Sequence, residues 1–236
     1  MSLRSLCMGA LPLWRGRVAL MALVTGLAAC AAQPVPDWQV ARARAVEQGV
    51  DAYLSGLDKV AQVEFSRAQR EARRSADPEV VARTYLAACA AHVAALDWAA
   101  CGHEPGLADA TAETQAYARY LMGQAQAADL PLLPETQRNV ATRALGQHAS
   151  AVAKLDQAWS RLVAVGVLWR QGVRDPALAQ LAVDSASAQG WSRAVGVWLQ
   201  AQQALFEQTG QLEAAQRVQR RLDLLLKTPA AATPPN

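Results

Sequence analysis

Three features of this 236-residue chain predict an all-helical fold. Ala, Leu, Gln, Arg and Glu dominate, and runs of β-branched residues are short and interrupted, a composition that favours helix almost throughout. Apolar residues recur every three or four positions over most of the chain, the period of an amphipathic helix. Asp-Pro pairs and single glycines fall at helix-length intervals, where start and stop signals belong. The periodic region covers 37–227, enough for one sizeable domain or two small ones.

Asp37 is a plausible N-cap, and a first helical segment runs from it to about Ser75. Val46, Val50, Leu54, Leu57, Ala61, Phe65, Ala68 and Ala72 form one apolar face, with Gly49 and Gly56 as possible breaks. Asp77-Pro78 restarts the chain as a cap followed by proline at the first helical position. The helix after it carries Val81, Tyr85 and His92 on one side and Leu86, Cys89, Val93 and Leu96 on another. A helix apolar on two sides belongs at the centre of the fold. Asp109–Ala128 reads as a third helix, with Ala116, Tyr117, Tyr120 and Leu121 inward. After Pro131 and Pro134, a helix from Glu135 to about Leu145 precedes a looser stretch at Gly146. Val152, Leu155, Trp159, Leu162 and Val165 mark the next helix, closed by Gly172. Asp175-Pro176 repeats the cap-plus-proline start. Three helices then follow, Pro176–Gln189, Trp191–Thr209 and Gln211–Lys227, separated by Gly190 and Gly210 as C-terminal caps.

Residues 1–29 stand apart. Arg4, Arg15 and Arg17, with no acidic residue, precede the apolar run Val18–Thr25, the layout of a secretory signal. As a membrane-spanning helix, residues 18–29 would rise about 18 Å, short of the roughly 30 Å hydrocarbon core. The run ends in Leu27-Ala28-Ala29-Cys30, which resembles the lipobox of bacterial lipoproteins. That resemblance implies cleavage before Cys30, a diacylglycerol thioether on its sulfur and an acylated amino group. Ala31, not Asp, follows the cysteine, which implies outer-membrane sorting, with the domain facing the periplasm. Residues 30–36 then form the lipidated cysteine and a short tether. Residues 228–236, with three prolines, read as a disordered tail.

Charge bounds the partners. The formal net charge of +3 comes from the three signal arginines, and the remaining chain has twenty basic and twenty acidic residues. A neutral chain has no global electrostatic reason to bind nucleic acid. With Cys7 in the signal and Cys30 as the lipid site, Cys89 and Cys101 remain. In an oxidising compartment they suggest one disulfide. Twelve positions apart on a straight helix, their Cα atoms would be about 18 Å apart, beyond the reach of about 7 Å. The bridge therefore requires the helix to end before Cys101 and the chain to turn back. Two buried thiols are the alternative.

The C-terminal part, about 176–227, resembles tetratricopeptide-type helical repeats in Gly210-Gln211-Leu212-Glu213-Ala214-Ala215 and the shorter Gly190-Trp191-Ser192-Arg193-Ala194. Ala194 and Ala215 are 21 residues apart, not about 34 as in that family. The resemblance implies an irregular helical-hairpin solenoid, with a helix bundle as the alternative.

Few residues suggest chemistry. Cys89, His92, Cys101 and His103 are of metal-ligand type, but their spacing matches no zinc motif, and no metal or other cofactor is expected. His103-Glu104 lacks the second histidine of a zinc-protease helix, and Leu107 stands in its place. No nucleotide-binding glycine loop or G-x-S-x-G elbow is present. None of the nine glutamates precedes serine, as the catalytic residue of lytic transglycosylases does, and Glu64 before Phe65 is the nearest candidate acid. Arg67, Arg70, Arg73 and Arg74 form one basic cluster and Arg217, Arg220 and Arg221 another. Each reads either as a solvated helix face or as a contact for anionic headgroups. Trp159 and Trp198 fit inner faces, whereas Trp169 and Trp191 flank glycines where partial exposure would make them partner-binding hot spots. The chain therefore reads as a non-enzymatic, outer-membrane-anchored scaffold that binds an envelope protein partner. Trp169, Trp191, Arg193, Arg217 and Arg220 are its candidate contacts. A peptidoglycan-active enzyme and a helix-bundle carrier of a lipid or small ligand are the alternatives.

Overall fold

The structure, a computed structural model, describes residues 35–98, 101 and 105–226. Ten α-helices, two short 3-10 turns and no strand occur among the described residues, and all the helices belong to the unit Asp37–Asn236. The all-helical expectation holds. No helix among the described residues is long and apolar enough to cross a membrane. Cys30, the signal, most of the tether and the tail lie outside the described residues.

The first expected helix is two, α1 (Asp37–Leu54) and α2 (Asp58–Arg73), folded back on each other at Ser55–Leu57. Small residues Ala61, Ala68 and Ala72 line the buried face of α2, so the two backbones approach closely. α3 (Pro78–Ala94) starts as its sequence requires: the Asp77 carboxylate accepts from the Glu79 amide at 2.9 Å, with Pro78 in the first turn. It is central, packing against α1, α2 and α7.

α4 is Ala112–Leu121, shorter than the expected 109–128 because the chain turns at Gly123 and Asp129, buried and paired with the partly exposed Arg119 at 2.5 and 3.0 Å, folds the loop back. The Arg119 guanidinium and the Gln126 amide hold the Asp129 carboxyl down from 3.8 to about 2. The pair's stabilising effect is therefore complete above the unfolded value and is lost as pH falls toward 2. A pH titration of the Asp129 carboxyl carbon by NMR is expected to show this low midpoint, and Arg119→Leu is expected to return it toward 3.8.

α5 (Glu135–Ala141) also ends early. The helix expected from Val152 is split into α6 (His148–Ala153) and α7 (Ala158–Arg170). Between them Leu155 is buried, and its carbonyl accepts from Arg161 Nε at 2.6 Å, which fixes a turn that no glycine or proline announces. α8 (Pro176–Gln189), α9 (Ser192–Gln208) and α10 (Leu212–Leu226) match their expected spans to within one residue. Gly190 and Gly210 both adopt φ of 73°, the left-handed conformation that a glycine cap provides. α7 to α10 pack in sequence, each against the next, and α9 returns to touch α1.

The geometric condition on the cysteines is met. α3 ends at Ala94, the chain reverses, and Cys89 and Cys101 lie with Cα atoms 5.1 Å apart and sulfurs at disulfide distance. Replacing both by serine is expected to lower the unfolding free energy by about 2–3 kcal/mol, for a closed loop of this size, in urea titrations without reductant.

Candidate functional site

A groove of about 1350 Å³ lies between α1 on one side and α3 and α4 on the other. Helical spacing places its walls. On α1, Ala43, Glu47 and Val50 share a face, with Arg44 and Asp51 beside them. On α3, Arg83, Leu86, Ala87 and Ala90 follow the i, i+3, i+4, i+7 pattern. Tyr117 of α4, Leu133 before α5 and Trp159 of α7 add aromatic and aliphatic surface.

Specific hydrogen bonds hold each wall. Glu79 accepts from the Thr111 amide at 2.9 Å and from the Thr114 hydroxyl at 2.7 Å, tying the start of α4 to the start of α3. Desolvation opposes the Glu79 charge, but the bonds from Thr114 and Thr111 outweigh it and hold the carboxyl below its ordinary value. Behind Tyr117, the Tyr120 hydroxyl donates to Gln137 Oε1 at 2.8 Å, and Gln137 Nε2 donates to the Ser160 carbonyl at 3.2 Å. This buried chain joins α4, α5 and α7. The Tyr117 and Tyr120 rings stack at 6.1 Å, and burial raises both phenols, which stay neutral.

The rim is charged. Arg44, Glu47, Arg83 and Glu113 are exposed and make no ion pair among the described residues. The groove thus offers an apolar floor with separate positive and negative groups along its edges.

A second cluster closes the seam between α1, α3 and α9. Asp97 Oδ2 accepts from the Tyr53 hydroxyl at 3.0 Å and lies 2.8 Å from His92 Nδ1, and the Tyr53 and His92 rings are 4.1 Å apart. Burial and the Asp97 bond raise the Tyr53 phenol.

The five candidate contacts are not gathered into one site. Trp169 is buried edge-on against Trp198 at 5.3 Å, with the Arg174 guanidinium over its face. Trp191 is 8% exposed; its indole N–H donates to Asp51 Oδ1 at 2.8 Å, and its ring borders the groove. Arg193 covers the Tyr53 ring at 4.3 Å and pairs with Asp58. Arg217 and Arg220 are exposed on α10, which does not line the groove. Neither tryptophan is an exposed hot spot, because the seam with α1 and the α7–α9 contact cover them. Glu64 lies on α2, outside the groove, paired with Arg67 at 3.7 Å.

Of the metal-type residues, Cys89 and Cys101 are bound to each other and His103 lies outside the described residues. No group of three or more His, Cys, Asp or Glu suited to a metal ion occurs among the described residues. Sequence reasoning missed Tyr117, Leu133 and the groove-facing part of Trp159. The available signal was α3, whose sequence is apolar on two sides. No family model, no curated protein and no solved structure matches this chain.

Proposed function

We propose that this chain is a non-enzymatic envelope lipoprotein, anchored in the outer membrane through Cys30, that holds a segment of a protein partner in the α1–α3–α4 groove on its periplasmic side. The helical array, irregular and of the tetratricopeptide kind, serves as the scaffold that fixes the groove walls. The groove itself carries this reading. Its volume exceeds the about 300–1,000 Å³ of small-molecule pockets, and it is an open trough rather than an enclosed cavity. An apolar floor with alternating charges on both rims suits an amphipathic polypeptide segment, which needs apolar contact below and ionic contact at its sides. The address rests on Leu27-Ala28-Ala29-Cys30 and on Ala31.

Ala87 tests the reading. It lies half-buried on the α3 wall of the groove in mid-helix, where arginine keeps good helix propensity. Ala87→Arg is expected to lower partner capture by about thirtyfold, equivalent to about 2 kcal/mol, while the thermal midpoint moves by only a few degrees. Unchanged capture by a folded Ala87→Arg protein would remove the groove from the account.

A further inference from the structure

A different part of the surface has an organisation that the groove does not use. The first turns of α2 expose aliphatic side chains beside Asp58, Lys59 and Gln62, and farther along its outer face Ser66 and four arginines follow. Leu57, Val60 and Val63 are 48–61% exposed. Arg67, Arg70, Arg73 and Arg74 follow them, all exposed. Arg67 and Arg74 pair with Glu64 and Glu71 one turn away, and Arg70 and Arg73 make no ion pair among the described residues.

α10 repeats the pattern in reverse. Leu224 and Leu226 in its last turn are 75% and 80% exposed, and Arg217, Arg220 and Arg221 precede them, exposed and without an ion pair among the described residues. Asp223 accepts from Gln219 and does not pair with them.

The two aliphatic ends lie at the same end of α9. Arg193 pairs with Asp58, and the Ser192 hydroxyl donates to the Ser55 carbonyl at 2.8 Å, so the start of α9 is held against the α1–α2 corner. α10 packs back along α9, and Leu225 lies over Gly196, where an added Cβ would sit 3.3 Å from its methyl. The last turn of α10 therefore borders the first turns of α9.

We infer that this end of the domain is a membrane-docking face, with Leu57, Val60, Val63, Leu224 and Leu226 entering an anionic phospholipid surface and the arginines of α2 and α10 meeting its phosphates. The spacing suits that surface. From Val63 to Arg70 is about 10 Å along the helix, comparable to the depth of the headgroup zone. Arginine stems cover apolar surface while their guanidinium groups stay at the phosphate level. The exposed aliphatics suit a lipid surface, whereas a single-stranded nucleic-acid site stacks its bases on aromatic rings. The one aromatic of α2, Phe65, lies against Gly49 instead. The pattern is independent of lipid on Cys30 and of the groove.

The experiment is arginine footprinting of the full chain with phenylglyoxal, on phosphatidylcholine vesicles, on vesicles with phosphatidylglycerol added, and in buffer. The expected result is several-fold loss of reactivity at Arg70, Arg73, Arg220 and Arg221 on anionic vesicles only, with Arg83 and Arg143 unchanged. A full-chain variant combining Arg70→Gln, Arg73→Gln, Arg220→Gln and Arg221→Gln is expected to lose this preference for anionic vesicles by more than about tenfold, since each arginine near such a surface contributes measurably. Equal reactivity on all three, or uniform loss at every arginine, would overturn the inference. So would protection by polyglutamate but not by anionic vesicles, which would reassign the arginines to an acidic protein.

Discussion

Gly166→Ala is expected to cost about 3 kcal/mol or more in urea unfolding, an unusually large effect for adding one methyl group. Gly166 is in the middle of α7, where an ideal Cβ would lie 2.4 Å from the Val93 carbonyl oxygen and 3.0 Å from its carbon. Both atoms belong to the backbone of α3, so relief requires moving one central helix away from the other. Alanine's better helix propensity, about 1 kcal/mol over glycine, is too small to compensate. Gly49 provides the contrast within the same measurement. A Cβ there meets the Phe65 ring at 2.7 Å, the far part of a side chain that can rotate. Gly49→Ala is therefore expected to cost much less. Equal changes at the two positions would show that the α3–α7 approach does not govern the cost at Gly166.

Trp198→Ala is expected to cost about 3–5 kcal/mol by the same assay. Trp198 has no exposed surface, its indole N–H donates to the Ala94 carbonyl at 2.8 Å, and its ring meets Trp169 edge to face. Ala94 is the last residue of α3, so this bond gives one of the orphan carbonyls of that helix end a partner. Trp198→Phe keeps an aromatic ring but removes the donor together with the pyrrole part of the indole. Its smaller expected loss, about 1–3 kcal/mol, combines the carbonyl left without a partner with the smaller ring.

Local chemistry was legible in the sequence wherever one residue type dictates a backbone state. Asp77-Pro78 and Asp175-Pro176 announce helix starts because a carboxylate cap and a fixed φ act within three residues. Gly190 and Gly210 announce the ends of α8 and α9 for the same local reason. Leu155 shows the limit. The break between α6 and α7 depends on Arg161 reaching back to the Leu155 carbonyl, and the apolar period runs through it unbroken. The 12-residue cysteine spacing implied a chain reversal, and the reversal after Ala94 supplies it. The groove was not legible, because its walls come from residues far apart in the chain. Trp191 meets Asp51 across 140 positions, and no periodicity encodes that meeting. The same contact is why Trp191, read as an exposed anchor beside a glycine, is instead a buried brace at the groove edge.

The most direct test of the groove as a partner site is photocrosslinking in living cells from single positions in the otherwise intact chain. Ala43 and Ala87 lie on opposite walls of the groove, and Gln200 is exposed on α9 away from it. A photoreactive residue at Ala43 or Ala87 is expected to capture one dominant envelope protein. That adduct is expected to be absent from Gln200 and from a chain also carrying Cys30→Ser. Capture of the same abundant proteins from all three positions, or of none from the groove, would contradict the account.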